Sequence, residues 1–240
     1  FPELQGTMGR YYALNDGLDL AVADAIEDHY KPRFAGDTLP RNTVGVVVAL
    51  ADKLETLVGM FGIGNLPTGD KDPFALRRHA LGVLRMLTEK APALGLAGLL
   101  DAAYTAFGDK LPTDRSAALQ ALADFLFDRL AGSLREQGYS TQEVDAVLAL
   151  RPGSLGDIPQ RLAAVRVFAS LPEAAALAAA NKRIGNILKK ADGPVDAHVS
   201  EVLLQEPAEK ALFVAMQATL PQAQAQFDAG DFTASLQTLA

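Results

Sequence analysis

Leu119, Leu122, Leu126, Leu130 and Leu134 recur at steps of three and four. That spacing stacks all five on one stripe of an α-helix, which stops before Gly138. The same grammar runs through the chain. Asp19 to Tyr30 reads as a helix that must end before Pro32, because a residue preceding proline is pushed out of the α region. Thr43 to Met60 reads as a buried helix. Its Val44, Val46, Val47, Val48 run also suits a strand, but Leu50, Leu54, Leu57 and Val58 continue it at helical spacing. Phe74 to Leu87 carries the stripe Leu76, Ala80, Val83, Leu84 and Leu87, with Pro73 near its first turn. Gly95 to Phe107 is a looser helix.

Further on, Ser140 with Glu143 and Ser170 with Glu173 have the spacing of capping boxes. Asp157 and Asp231 are N-cap residues, and Pro207 opens another helix. Arg151-Pro-Gly153 closes the helix that Ser140 opens. Ala and Leu dominate and connections are short, so the fold class is all-α, a helical bundle without internal repeats. Gly108-Asp-Lys-Leu-Pro112 is the expected boundary between two halves, 1–110 and 111–240.

The chain has 240 residues, a formal net charge of −7 and no cysteine. Half hydrophobic, it has ample core material for one large or two ordinary domains. The lack of cysteine excludes disulfides and thiolate metal sites and fits a reducing cytoplasm. The longest apolar run, Val44 to Ala51, is far short of the ~18 residues of a spanning helix, so no membrane role is expected. The opening residues show no signal-peptide pattern. The opening Phe1-Pro-Glu-Leu-Gln-Gly6 reads as the interior of a longer chain.

Against that acidic balance, Asn181-Lys-Arg-Ile-Gly-Asn-Ile-Leu-Lys-Lys190 gathers cations. At ~100° per residue, Lys182, Arg183, Lys189 and Lys190 cover an arc of about 120° with Asn186 in its middle. Ala180, Ile184, Ile187 and Leu188 take the opposite side. A basic, Asn-bearing face backed by an apolar one suits a nucleic-acid phosphate backbone. Cations near a helix C-terminus also answer the macrodipole, by about 0.3–1 kcal/mol each. The loop Pro67 to Arg78 sets Arg77 and Arg78 beside Asp70 and Asp72. It is either a loop clasped to a helix start by ion pairs or a docking site for RNA or another chain.

Catalytic signatures are missing. There is no Cys or Gly-x-Ser-x-Gly nucleophile and no phosphate-cradling Gly-Lys-Ser/Thr loop. Gly62-Ile-Gly64 reads as a helix-ending turn. The three histidines are His29, His79 and His198, and no His-Asp doublet occurs in that order. His29 and a distant helical acid such as Asp52 could meet in space, but two ligands do not hold a catalytic metal. No catalytic or metal residue is assigned.

Several of these blocks, in order, resemble one family. They are Phe1-Pro-Glu-Leu-Gln-Gly6, Met8-Gly-Arg-Tyr-Tyr-Ala13, Ala49-Leu-Ala-Asp-Lys-Leu54, Phe61-Gly-Ile-Gly64, Pro67-Thr-Gly69, Lys71-Asp-Pro-Phe-Ala-Leu-Arg-Arg78, Ala146-Val-Leu-Ala149, Arg161 and Ala180 to Lys189. Together they look like the β subunit of the bacterial heterotetrameric glycyl-tRNA synthetase. The resemblance implies that 1–110 is the C-terminal part of an HD-like helical domain whose metal chemistry is unused. It implies that 111–240 begins an anticodon-binding-type helical bundle, truncated at its C-terminus. The parent enzyme would be a glycine-tRNA ligase, an α2β2 assembly in the cytoplasm. ATP and Mg would be used through the α subunit, with no cofactor bound by this chain. Its expected role is then tRNA-Gly binding and subunit architecture, through Lys182, Arg183, Asn186, Lys189 and Lys190 first and Arg77 and Arg78 second. The alternatives are the HD-type phosphohydrolase and a purely structural scaffold for a partner subunit.

Overall fold

Five side chains fix where helices begin. Asp19, Asn42, Asp114, Ser140 and Asp231 each accept a backbone N–H two or three residues ahead, at 2.7 to 3.2 Å, supplying partners the first turn lacks. In the computed structural model, which describes residues 1–240 apart from Gly69, Asp70, Pro92, Asp192, Pro194, Asp196 and Ala197, the described residues form eleven α-helices. These are α1 (Thr7–Asn15), α2 (Leu20–Asp28), α3 (Thr43–Gly62), α4 (Leu76–Glu89), α5 (Leu96–Ala106), α6 (Arg115–Glu136), α7 (Thr141–Leu148), α8 (Ile158–Ala169), α9 (Ala174–Leu188), α10 (Pro207–Asp228) and α11 (Phe232–Leu239). Extended structure among the described residues is limited to two isolated bridges, Thr68 with Lys71 and Gly95 with Ser154. The all-α expectation holds.

The chain divides into two compact units, Phe1–Ile158 and Pro159–Ala240. In the first, α3 is the central element. Val46, Ala49, Leu50, Leu54, Leu57, Val58 and Phe61 are buried along it, while Val44, Val47 and Val48 are exposed. Inward and outward positions thus follow the helical period, which resolves the helix-or-strand ambiguity of that run. α2, α4, α5 and α6 all pack on α3. The stripe Leu76, Ala80, Val83, Leu84 and Leu87 of α4 is buried throughout, as are Leu122, Leu126, Leu130 and Leu134 of α6.

The boundary between compact units does not fall at 108–112. Tyr104 Oη donates to the Thr113 carbonyl at 2.8 Å, and Thr113 N–H donates to the Gly62 carbonyl at 3.1 Å. The rings of Phe61 and Phe125 lie 5.4 Å apart, so α6 shares the core of α3. α1 is a helix that the sequence pattern did not predict, and the expected start of α4 is corrected: it begins at Leu76 rather than Phe74 because Ala75 adopts a left-handed φ of 55°.

An ionic knot ties α1 and α2 to the segment leading into α3. Asp28, fully buried, accepts from Arg41 and pairs with Lys31. Arg41 also reaches Glu27 and Asp24, and Arg10 pairs with Asp24 at 2.7 Å. Burial pushes the Asp28 carboxyl up, but the Arg41 and Lys31 hydrogen bonds outweigh it and hold the pKa at about 2. Arg41 is correspondingly raised, first by its hydrogen bond to Asp28.

In the second unit, Phe227 and Phe232 meet edge to face at 5.2 Å, with the Arg161 guanidinium 4.3 Å from the Phe232 ring centre. Ser235 Oγ donates to the Ala223 carbonyl at 2.8 Å, locking α11 onto α10. Among the described residues no single helix is both long and apolar enough to cross a membrane; α8 and α9 pass that test of length and composition only as a pair, and the pair is bent by 107°.

Candidate nucleic-acid interface

α9 is built to stand out from its unit. Ala174 is its only buried residue, so little of the helix is used for packing. The expected capping box at its start does not form. Glu173 is the N-cap without a side-chain bond, and Ser170 Oγ donates back to the Val167 carbonyl at 2.6 Å instead. The hydroxyl is turned back to the end of α8, and the N-cap of α9 falls three residues further on, at Glu173.

At the other end the helix runs on smoothly. Lys189 N–H donates to the Gly185 carbonyl at 3.1 Å, and Lys190 N–H to the Ile187 carbonyl at 3.0 Å. Helical geometry therefore continues through Lys189. Lys182, Arg183, Asn186, Lys189 and Lys190 are all exposed. Among the described residues no carboxylate lies within ion-pair distance of the four cations. In a chain of net charge −7 this strip is a local, uncompensated positive field. Cations without partners stay hydrated and mobile, which suits contacts to phosphate oxygens rather than a fixed internal bridge.

The opposite side of α9 departs from expectation. Ile184, Ile187 and Leu188 are 54%, 61% and 49% exposed, so they do not back the strip with a buried core. Val202, Leu203, Leu212 and Val214 in the same unit are exposed as well.

The second candidate region divides. Asp72 accepts the backbone N–H groups of Leu76 and Arg77 at 2.7 and 3.0 Å, so the loop is clasped to α4 through amides. Asp70, the other acid of that expectation, lies outside the described residues. The exposed Arg78 instead donates through Nη1 to the Arg33 carbonyl at 3.3 Å. Arg77 and Arg78 belong to the first compact unit and the α9 strip to the second.

His29 and Asp52 do not form the pairing of the phosphohydrolase alternative. The His29 ring stacks on Tyr30 with centres 3.9 Å apart, and Nδ1 faces the Ala25 carbonyl. Asp52 shares a cavity with His79 instead. Among the described residues no three His, Asp or Glu side chains converge as a metal-ligand set. His198 is exposed.

The sequence reading passed over Lys53. It is buried on the core face of α3, with Nζ donating to the His29 carbonyl at 2.8 Å. The signal was available: Lys53 falls three residues after Leu50 and four before Leu57, on the apolar stripe itself.

Comparison with known proteins then bears on these surfaces. The model of the family "Glycyl-tRNA synthetase beta subunit" matches residues 1–149. The chain belongs to the glycyl-tRNA synthetase β-subunit family. Relatives agree over its full length. The glycine–tRNA ligase β subunits of Delftia acidovorans and Paracidovorax citrulli are 72% and 73% identical over 240 residues, all of this chain and 34% and 33% of theirs. That of Dechloromonas aromatica is 67% identical over 241 aligned residues, again all of this chain and 33% of the relative. This chain thus spans about a third of the length of the glycyl-tRNA synthetase β subunits it matches. The block Ala180 to Lys190 lies beyond the residues matched by the family model but within the stretch shared with these relatives.

Proposed function

We propose that this chain is the part of a glycyl-tRNA synthetase β subunit that contributes tRNA-Gly binding and subunit architecture to an ATP-dependent glycine–tRNA ligase. The observation that carries the reading is the exposed α9 strip of Lys182, Arg183, Lys189 and Lys190, unpaired among the described residues, in a member of a tRNA synthetase family. The strip holds no aromatic side chain on which an unstacked base could lie, so its role is positioning of the ribose-phosphate chain rather than reading of sequence. Arg77 and Arg78 are a weaker second contact on the first unit.

Residues 1–110 then correspond to the C-terminal part of an HD-like domain, and 111–240 to the start of an anticodon-binding-type bundle. The first helix of that bundle, α6, is lodged against the HD-like helices. ATP, Mg and glycine are handled by the α subunit of an α2β2 enzyme, in the cytoplasm, and no bond-making residue is assigned to this chain. The exposed apolar residues on the far side of α9 favour an architectural contribution alongside RNA contact.

A tRNA titration of the 240-residue chain with Lys182, Arg183, Lys189 and Lys190 all changed to Glu tests the reading. Affinity falls at least about a hundredfold while far-UV circular dichroism stays that of the parent, because four phosphate contacts become four repulsions. Wild-type affinity in the variant would leave the chain as a scaffold only.

A further inference from the structure

A polar cavity of about 380 Å³ lies in the first compact unit, outside the strip on α9. Its wall includes Lys53, His79, Arg78, Arg33, Asp52 and Gln5. Lys53 is only 3% exposed, and among the described residues its one hydrogen bond is to the His29 carbonyl. A buried ammonium carries three donors and a full charge, and it is costly unless paired. No carboxylate lies within ion-pair distance of Lys53 or Arg78 among the described residues. Arg33 is shared with Asp37 at 3.1 Å.

The lysine is held there by shape. Gly82 of α4 leaves room for its stem, since a Cβ at that position would come within 3.1 Å of Lys53 Cε and 3.2 Å of Pro32 Cδ. Beside the same cavity, Nδ1 of His79 is buried and has no hydrogen-bond partner among the described residues. Burial pushes Lys53 below the ordinary lysine range and His79 below the ordinary histidine range. Arg78 adds to both shifts and Lys53 adds to that of His79, while Asp52 opposes both. The groups therefore sense one another across one site. Lys53 and Arg78 have no carboxylate at ion-pair distance among the described residues, and Asp52 is the one acid in the wall, so the cations there outnumber the acid.

We propose that this cavity binds a phosphate dianion, with Lys53 and Arg78 as its charge partners. Two unpaired cations match the dianion of a monoester better than the single charge of a carboxylate or a backbone phosphodiester. Asp52 sets the limit on affinity by repelling the same charge. The dianion is either free inorganic phosphate or the terminal monoester of an oligonucleotide, and the two present the same charged oxygens to the cavity.

Titration of the 240-residue chain with inorganic phosphate, followed by ³¹P NMR, tests the site. Saturable one-to-one binding is expected. Lys53→Met and Arg78→Ala each weaken it at least about tenfold, the loss of one hydrogen bond to a charged group, and Asp52→Asn tightens it. Arg78 is exposed, so its variant keeps the test alive if Lys53→Met fails to fold. The fourfold Glu variant of α9 retains phosphate binding, which separates this site from the RNA strip. A 5′-phosphorylated trinucleotide that competes with phosphate, while its 5′-hydroxyl form does not, identifies a nucleic-acid end as the source. Competition by neither, with phosphate still bound, identifies free phosphate. Absence of saturation, wild-type affinity in both Lys53→Met and Arg78→Ala, or equal binding of the two trinucleotides would overturn the proposal.

Discussion

Arg41 grips the buried carboxylate of Asp28 with three of its donors. Its backbone N–H and Nε both reach Oδ2, at 2.8 and 2.9 Å, and Nη2 reaches Oδ1 at 2.9 Å. The two residues belong to different segments, so their pairing fixes how the chain after α2 enters α3. Removing the guanidinium leaves a buried carboxylate with the Arg41 amide and Lys31, the latter at 2.9 Å, as remaining partners. Breaking a buried pair by deleting one partner costs more than the pair is worth in isolation. Arg41→Ala is expected to lower stability by about 2 kcal/mol, because Lys31 still compensates part of the charge. Urea denaturation of the chain measures it, and a change below ~0.5 kcal/mol, the level of an ordinary surface substitution, would show the knot to be incidental.

The same pair sets an acid limit. The folded pKa of Asp28 is about 2, below the ordinary carboxylate value. As pH falls, the unfolded chain takes up this proton first and the folded chain resists it, so the stabilisation present above pH ~4 is lost between about pH 4 and 2. Its size is roughly 2 kcal/mol for a shift of this magnitude. Asp37 and Asp124 are also held low by hydrogen bonds, so part of the acid limb is theirs. The informative quantity is the difference between wild type and Asp28→Asn from pH 2 to 6. It should shrink as pH drops; parallel curves would contradict the assignment.

Phe61 on α3 and Phe125 on α6 give a direct test of where the first unit ends. Their ring centres lie 5.4 Å apart at an interplanar angle of 46°. Aromatic pairs in contact couple by about 0.5–1.5 kcal/mol, whereas residues in separate folding units add independently. A double-mutant cycle with Phe61→Leu and Phe125→Leu should return a coupling in that range. Additivity within error would move α6 out of the core built around α3.

Local information explains what the sequence revealed. The leucine stripe of α6, the caps at Ser140 and Asp231, and the basic stretch on α9 depend on residues a few positions apart, and all were legible. α1 was not, because it buries only Ala13 and its N-cap, Gly6, offers no side-chain acceptor, so neither periodicity nor capping marks it. Gly108 to Pro112 carries the composition of a linker, yet Leu111 packs so closely on Gly62 that a Cβ there would meet its Cδ1 at 2.6 Å. Only the tertiary fold shows that contact. The cavity at Lys53 joins residues from four stretches of chain, and a lysine on an apolar stripe was its sole sequence trace.

Lys189 and Lys190 allow the RNA contact to be counted as well as detected. Both are exposed and without an ion-pair partner among the described residues, so each is available to displace a counterion from a phosphate. Each phosphate neutralised contributes about 0.9 to the slope of log K against log salt on duplex and about 0.7 on single strands. Lys189→Ala with Lys190→Ala should therefore flatten that slope for tRNA by about 1–2 units. The same change removes two favourable charges from the C-terminal end of α9, by about 0.3–1 kcal/mol each, so helicity must be followed in parallel. A flattened slope with helicity kept assigns two phosphate contacts to these lysines. A slope equal to wild type would remove both from the interface and leave Lys182 and Arg183 to carry it alone.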